Sequence, residues 1–300
     1  MDLIKPNTNI DFVRYAKPAA LFSAALILLG LISLWYRGGP NYGVDFAGGT
    51  AMQIRFTQPV AAADIRQALA ATNMAHITVQ DFGQGGNEFL IRMPVADSGT
   101  AEVSGQIRQA LAGKFGEQAF EIRRVEAVGP NVGKDLRRKA LLAVTFSTLI
   151  MGIYVAVRFE PRFGIGAAVA LLHDVLITIG ALSLLNLEFD LTVIAALLTV
   201  VGFSVNDTVV VCDRIRENMR KLRRDNLATI INRSINDTLS RTIITNGTAI
   251  LTVVVLYFLG GDVIHAFAFA LLVGFIFGTY SSVYIASPIV LLWDRGGKRR

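Results

Sequence analysis

The 300-residue chain is 53% hydrophobic and 17% charged, well below the roughly 25% charge of an ordinary soluble domain, so it reads as a membrane protein whose apolar surface faces lipid. Its net charge of +6 comes from Lys and Arg grouped beside apolar runs, where they set topology; no nucleic-acid partner is expected. The single cysteine, Cys212, excludes an internal disulfide and a Cys-cluster metal site; with His76, His173 and His265 far apart, neither a metal centre nor a cofactor is expected.

Residues 1–17 form a polar segment carrying Lys5, Arg14 and Lys17. The apolar run Pro18–Tyr36 is too long for the h-region of a signal peptide, and no small-x-small cleavage site follows it, so an uncleaved membrane helix is expected. Residues 37–139 then have soluble composition and form a head domain. GVDFAGGT, Gly43–Thr50, opens it. Its glycines permit positive φ and close backbone approach, which makes Gly43, Asp45, Gly48 and Gly49 a candidate hinge; a plain flexible joint is the simpler alternative. Strands are predicted at Ala51–Thr57, His76–Phe82, Glu88–Met93 and Ala119–Val128, with the turn Gly83–Asn87 joining the middle two. Helical spacing is found at Val60–Thr72 and at Ala101–Phe115, where Val103, Ile107 and Leu111 recur at i, i+4, i+8. The order βαββαβ suits an α+β, ferredoxin-like domain. Such a head either touches something across the membrane or is a static lid. Pro130–Lys139 is expected to continue into the second span as a rigid helical lever.

Five further apolar runs of membrane-spanning length follow: Ala140–Val157, Phe163–Leu185, Leu191–Val211, Thr242–Leu259 and Ile264–Trp293. The fold class is therefore an α-helical polytopic membrane protein with six transmembrane helices and one extracytoplasmic head, a five-helix bundle occupying 140–293 and a tail 294–300. Lys and Arg crowd the segments before the first span, between the second and third, in Asp213–Arg241 and in the tail. The loops Asn186–Asp190 and Gly260–Val263 carry only acids. That asymmetry puts both termini in the cytoplasm.

Asp207 lies inside the fourth span, roughly 9 Å from its charged end at 1.5 Å per residue. A carboxyl in hydrocarbon costs about 2.5–3.5 kcal/mol on insertion scales unless it meets a partner, a cavity or a proton. Asp207 is thus a candidate for moving ions, the alternative being a polar knot that glues helices. Ser204, Asn206 and Thr208 surround it along the helix. Arg241 opens the next span, and the expected partnership is a buried Asp207–Arg241 pair that makes and breaks with conformation; snorkelling at a helix end is the alternative for Arg241. Asp174, beside His173 in the third span, could extend a proton path or anchor the fourth helix. Thr242, Thr245, Asn246 and Thr248 form a polar stripe suited to interhelical hydrogen bonds. Gly274 and Gly278 form a GxxxG packing face followed by Ser281, Ser282 and Ser287. An intramembrane aspartyl protease needs two acids sharing a proton, but Asp174 follows His and Asp207 follows Asn where a Gly-Asp context is expected, so no enzyme is expected.

GVDFAGGT, HDVLITIGALSL, FDLTVIAALLTVVGFSVNDTVVVCDRIRENMR, SINDTLSRTIITNGTAIL and FGTYSSVYIASPIVLLW, in this order, resemble the SecF family, the smaller subunit of the SecD–SecF complex of the bacterial Sec translocase, within the resistance-nodulation-division superfamily. The resemblance covers essentially the whole chain. It implies that SecD supplies six more spans, that the pair associates with the SecYEG channel in the inner membrane, and that the proton motive force helps draw preproteins outward. It implies that Asp207 and Arg241 are the proton-pathway residues. It also implies a separate subunit rather than a fused chain. Half of a small-molecule exporter of the same superfamily is the alternative, although its porter domains are usually larger than the roughly 100 residues available.

Overall fold

The computed structural model describes residues 9–70, 77–81, 86–93, 100–261 and 264–297. The sequence expectations that fall on Lys5, residues 71–76 including His76, Phe82, Gly83–Gly85, Asp262, Val263 and 298–300 lie outside the described residues.

Helix α1 (Ala16–Arg37) is apolar almost throughout and ends at Gly38, whose φ of 73° suits a glycine C-cap. Short β1 (Asn41–Tyr42) and α2 (Val44–Ala47) lead into the head. There β2 (Gly49–Phe56), α3 (Ala62–Ala70), β3 (Thr78–Asp81), β4 (Glu88–Met93), α4 (Thr100–Phe115) and β5 (Phe120–Val128) follow in the order read from the sequence. The sheet is antiparallel with spatial order β3-β4-β2-β5. Alternation along β2 and β4 buries Met52, Ile54, Phe56, Phe89, Ile91 and Met93 on one face. Against that face pack Ile65 and Leu69 of α3 and Val103, Ile107 and Leu111 of α4.

Helix α5 (Pro130–Arg158) runs unbroken from head to bundle. Pro130 sits in its first turn, where a missing N–H costs nothing, so the expected lever and the second span are one rod. Then come α6 (Pro161–Leu184), the two-residue β6 (Glu188–Phe189), α7 (Leu191–Lys221) and α8 (Leu227–Leu259). The stretch read as a loop from Asp213 to Arg241 is instead the continuation of α7 and α8 into a helical hairpin. Several of its charges are paired. Arg214 bonds Glu217 at 2.7 Å and Asp237 at 3.3 Å, Lys221 bonds Glu217 at 2.5 Å, and Asn218 donates to Ser234 at 3.0 Å. Asn226 caps α8 by accepting from the Thr229 amide at 2.8 Å. The N-terminal segment is tied to this hairpin: Asn232 Oδ1 accepts from the Phe12 amide at 2.7 Å, and Asn236 exchanges two hydrogen bonds with Ile10.

The sixth span is not one regular helix. α9 (His265–Ser281) passes through a π-helical turn at Ser282–Ala286 into α10 (Ser287–Gly297). The turn lies just before Pro288, which has no N–H to return to the preceding turn, and Ser287 Oγ donates to the Ser282 carbonyl at 2.9 Å. Among the described residues six helices are long and apolar enough to cross a membrane, and the chain is a multi-pass membrane protein. Glycines set the closest crossings. A Cβ on Gly30 of α1 would lie 2.7 Å from the Gly180 Cα of α6, and one on Gly274 would meet the Val200 side chain at 2.1 Å.

A buried carboxyl layer in the membrane bundle

Two acids lie in the middle of this apolar bundle, and their surroundings differ. Asp174 is fully buried. Its Oδ2 accepts from Ser204 Oγ of α7 at 2.6 Å and from Ser281 Oγ of α9 at 2.8 Å. Its Oδ1 lies 2.9 Å from Nδ1 of His173. The GxxxG face delivers this meeting: Gly278 packs on Ser204, 3.1 Å from its Cβ to the nearest atom a side chain would place there. Beyond His173 the chain continues to α1. Tyr280 donates to the Ala19 carbonyl at 2.7 Å, Ser23 donates to the Tyr280 oxygen at 3.2 Å, and His173 Nε2 is 3.0 Å from Ser23 Oγ. Each hydroxyl has a single proton. With those of Tyr280 and Ser23 committed, Nε2 is a donor, and one proton is left to lie between Nδ1 and Oδ1. The His173–Asp174 pair is satisfied and, in this count, carries no net charge.

Asp207, one helical turn beyond Ser204, has a different environment. It is buried, its Oδ1 accepts from Thr242 of α8 at 3.0 Å, and its Oδ2 is enclosed without a hydrogen-bond partner. Thr208 bonds Ser282 at 2.9 Å, and Asn246 donates to Thr279 at 2.6 Å. An ionised carboxylate with one bare buried oxygen is costly; a proton placed on that oxygen removes the charge. Of the two carboxyls, Asp207 is the one with a buried oxygen left without a hydrogen-bond partner.

The expected buried Asp207–Arg241 pair is not formed. Among the described residues no ion pair joins them, and Arg241 is exposed. The residue that reaches the carboxyl is Thr242, and one residue along a helix turns the side chain by about 100°, which sends Arg241 to the outer face. Of the expected supporting residues, Asp174, Ser204, Thr208 and Asn246 are in the core, whereas Asn206 and Thr245 are exposed. On α8, Arg241, Thr245, Thr248 and Thr252 all face outward, and on the neighbouring α7 so do Thr199, Gly202 and Asn206. Ser23, Thr279 and Tyr280 were not singled out in the sequence as polar contacts. A serine within the apolar α1 was the available signal for the first.

At the head end, GVDFAGGT is built into the membrane helices. β1 pairs in parallel with β6, Asn41 opposite Glu188 and Tyr42 opposite Phe189. Asp45 Oδ2 accepts from the Leu191 amide at 3.1 Å, while Asp190 caps α7 by accepting from the Val193 amide at 2.9 Å. Gly48 and Gly49 have φ of 76° and 128°, conformations that suit glycine. A Cβ on Gly43 would stand 3.1 Å from Glu188 Oε1, and one on Gly133 of α5 would stand 2.9 Å from the Phe46 carbonyl. Arg92 of the head sheet forms an ion pair with Glu188. Burial pushes the Glu188 carboxyl above its usual range, with Asp190 and Asp45 adding to the effect and Arg92 opposing it.

Comparison with known proteins gives one answer. Residues 107–296 match the family described as protein export membrane protein SecD/SecF, C-terminal, and residues 38–60 match the SecD/SecF GG motif. The chain is 48% identical to the protein translocase subunit SecF of Magnetococcus marinus, over 100% of this chain and 97% of that protein. It is 45% identical to that of Vibrio alginolyticus, over 96% and 91%. The crystal structure of SecDF from Thermus thermophilus, described as a translocon-associated membrane protein, superposes with a TM-score of 0.82 at 39% identity, covering 98% of this chain and 40% of the longer one. A SecDF structure in a super-membrane-facing form superposes at 0.70 over 100% of this chain and 40% of that one. This chain belongs to the SecF family of protein translocase subunits.

Proposed function

We propose that this chain pairs with SecD in the inner membrane and uses the proton motive force to promote movement of preproteins through the SecYEG channel, with its termini cytoplasmic and its head periplasmic. The observation that carries the reading is Asp207: a carboxyl in mid-bundle with one oxygen held by Thr242 and the other enclosed and unpartnered. Such a group takes up a proton readily where water reaches it in one conformation and gives it up in another. Arg241 is the charge that would drive release, approaching Asp207 by rotation or translation of α8.

The outward polar stripe of Arg241, Thr245, Thr248 and Thr252, with Thr199, Gly202 and Asn206 on α7, supports SecD as the partner on that side. Polar and small side chains on a spanning helix favour contact with another helix over contact with lipid. The two SecDF forms, which fit this chain at TM-scores of 0.82 and 0.70, support a cycle between conformations. The role is one of transport, without a catalytic residue.

The test is Asp207→Asn, which keeps the size and removes the titratable group. Secretion of a periplasmic reporter is measured in cells with the proton gradient intact, alongside the membrane level of the variant. The expected result is export reduced to the level of cells lacking the subunit, with normal insertion. Export at the wild-type rate with a stably inserted variant overturns the proposal.

A further inference from the structure

On the flank formed by α5 and α6, at the end of the bundle nearer the head, the surface is hollowed into a groove of about 760 Å³, within the size range of sites that hold small organic ligands. Val144 and Leu149 of α5 form one wall, Leu172 and Leu176 of α6 the other, and Ile194 and Leu197 of α7 the floor. Almost all of this lining is hydrocarbon. The exceptions at the mouth are Arg137 and Arg138. Arg137 lies over the ring of Tyr42, with 5.0 Å from guanidinium carbon to ring centroid, and Arg138 is exposed. Among the described residues neither has an acidic partner, since Asp135 is taken by Lys139 at 2.7 Å.

The dimensions identify the occupant. Lining residues run from Arg137 to Leu149 on α5 and from Ala168 to Ile179 on α6. The runs are about 18 Å and about 16 Å long at 1.5 Å per residue, close to half of a roughly 30 Å hydrocarbon core. The groove is therefore as deep as one leaflet, with two unneutralised cations where the apolar run of α5 begins and a tyrosine beside them at the level where aromatic residues gather. Lys134 adds positive charge one turn earlier on α5. A partner helix would need no cations at that depth and would span both leaflets. A chain with an anionic head and a tail one leaflet long satisfies both features.

We propose that this groove is a binding site for an anionic phospholipid, whose acyl chain lies between α5 and α6 and whose phosphate is held by Arg137 and Arg138. Bound there, the lipid would brace the same stretch of α5 that carries the head.

The experiment uses the full chain purified in detergent and titrated with phosphatidylglycerol or phosphatidylcholine of equal chain length, with retained lipid counted by native mass spectrometry. Wild type is expected to retain phosphatidylglycerol at least fivefold better than phosphatidylcholine. Arg137→Gln with Arg138→Gln is expected to erase that preference while leaving weak retention of both. Thr145→Trp, which fills the groove from an exposed position, is expected to lower retention of both lipids, with thermal melting confirming that each variant is folded. Glycerol phosphate in excess is expected not to displace the lipid. Equal retention of the two lipids by wild type, a preference that survives the double substitution, retention unaltered in Thr145→Trp, or displacement by glycerol phosphate alone would each overturn the assignment.

Discussion

The contrast between the two intramembrane acids rests on hydrogen-bond donors, and it can be tested one atom at a time. Asp174 has donors from Ser204 and Ser281 on one oxygen and shares a proton with His173 on the other. With the shared proton on Oδ1, an asparagine replaces the protonated acid without loss. Its carbonyl accepts from the two serines, and its amide donates to Nδ1. Asp174→Asn is accordingly expected to change the stability of the purified chain by less than about 1 kcal/mol, whereas Asp174→Ala strands Ser204 and Nδ1 of His173, Ser281 keeping the Gly278 carbonyl, and costs roughly 1–3 kcal/mol for each that is left buried and unpaired. Thermal melting in detergent reads both. An asparagine variant as unstable as the alanine variant would mean that His173 and Asp174 are held as an ion pair. At Asp207 the asparagine is likewise expected to have little effect on stability, since Thr242 supplies the hydrogen bond to its Oδ1, but Asp207→Asn lowers export to the level of cells lacking the subunit.

At the scale of elements, the bundle depends on backbone-to-backbone approach where it is least covered. Helix α1 buries only Ser23 and Gly30 along its length, so its attachment rests on a few hydrogen bonds, from Ser23, Ser33 and the Ala19 carbonyl, and on the crossing of Gly30 with Gly180. Gly30→Val is expected to lever α1 from α6 and cost about 1–3 kcal/mol, the usual penalty of overpacking. The loss should appear as a lower melting temperature and as weaker disulfide cross-linking between cysteines placed at Ser33 and Ser183, whose hydroxyls are now 2.9 Å apart. Much of this architecture was legible beforehand, and the reasons are physical. Six runs of sufficient length and apolarity can only be helices in lipid, and Val103, Ile107 and Leu111 of α4 or the alternation in β4 state their period directly. What was not legible depends on neighbours. The sequence from Asp213 to Arg241 is too polar to read as buried helix until Asp237 is known to face Arg214. The π-helical turn at Ser282–Ala286 lies within a run whose apolar pattern reads as one continuous helix. Asn206 and Asp207 are adjacent and equally polar, and nothing local says that one faces Thr242 and the other faces outward.

For the molecule as a whole, the question is how a head domain and a membrane bundle stay in register, and the answer centres on Glu188. It sits where β1, the glycine loop, α7 and the head sheet meet, its side chain 22% exposed and paired with Arg92. Burial is the largest influence on its carboxyl and raises it above the ordinary 4.5; Arg92 pulls it down, and Asp190 and Asp45 push it up. An acid raised in the folded state binds its proton more tightly there than in the unfolded chain, so folding is favoured while both states are protonated, and that contribution is lost as pH rises through the folded value. Glu188→Gln cannot titrate. The stability of wild type relative to this variant is therefore expected to fall as pH is raised from about 4.5 towards neutrality. Arg92→Gln removes the attraction that limits the shift, and the same fall should then extend to higher pH. Melting temperatures of the three proteins across that range decide the matter. A difference that stays flat, or that grows with pH, would mean that the Arg92 ion pair outweighs burial and that the clasp between head and bundle is strongest when Glu188 is charged.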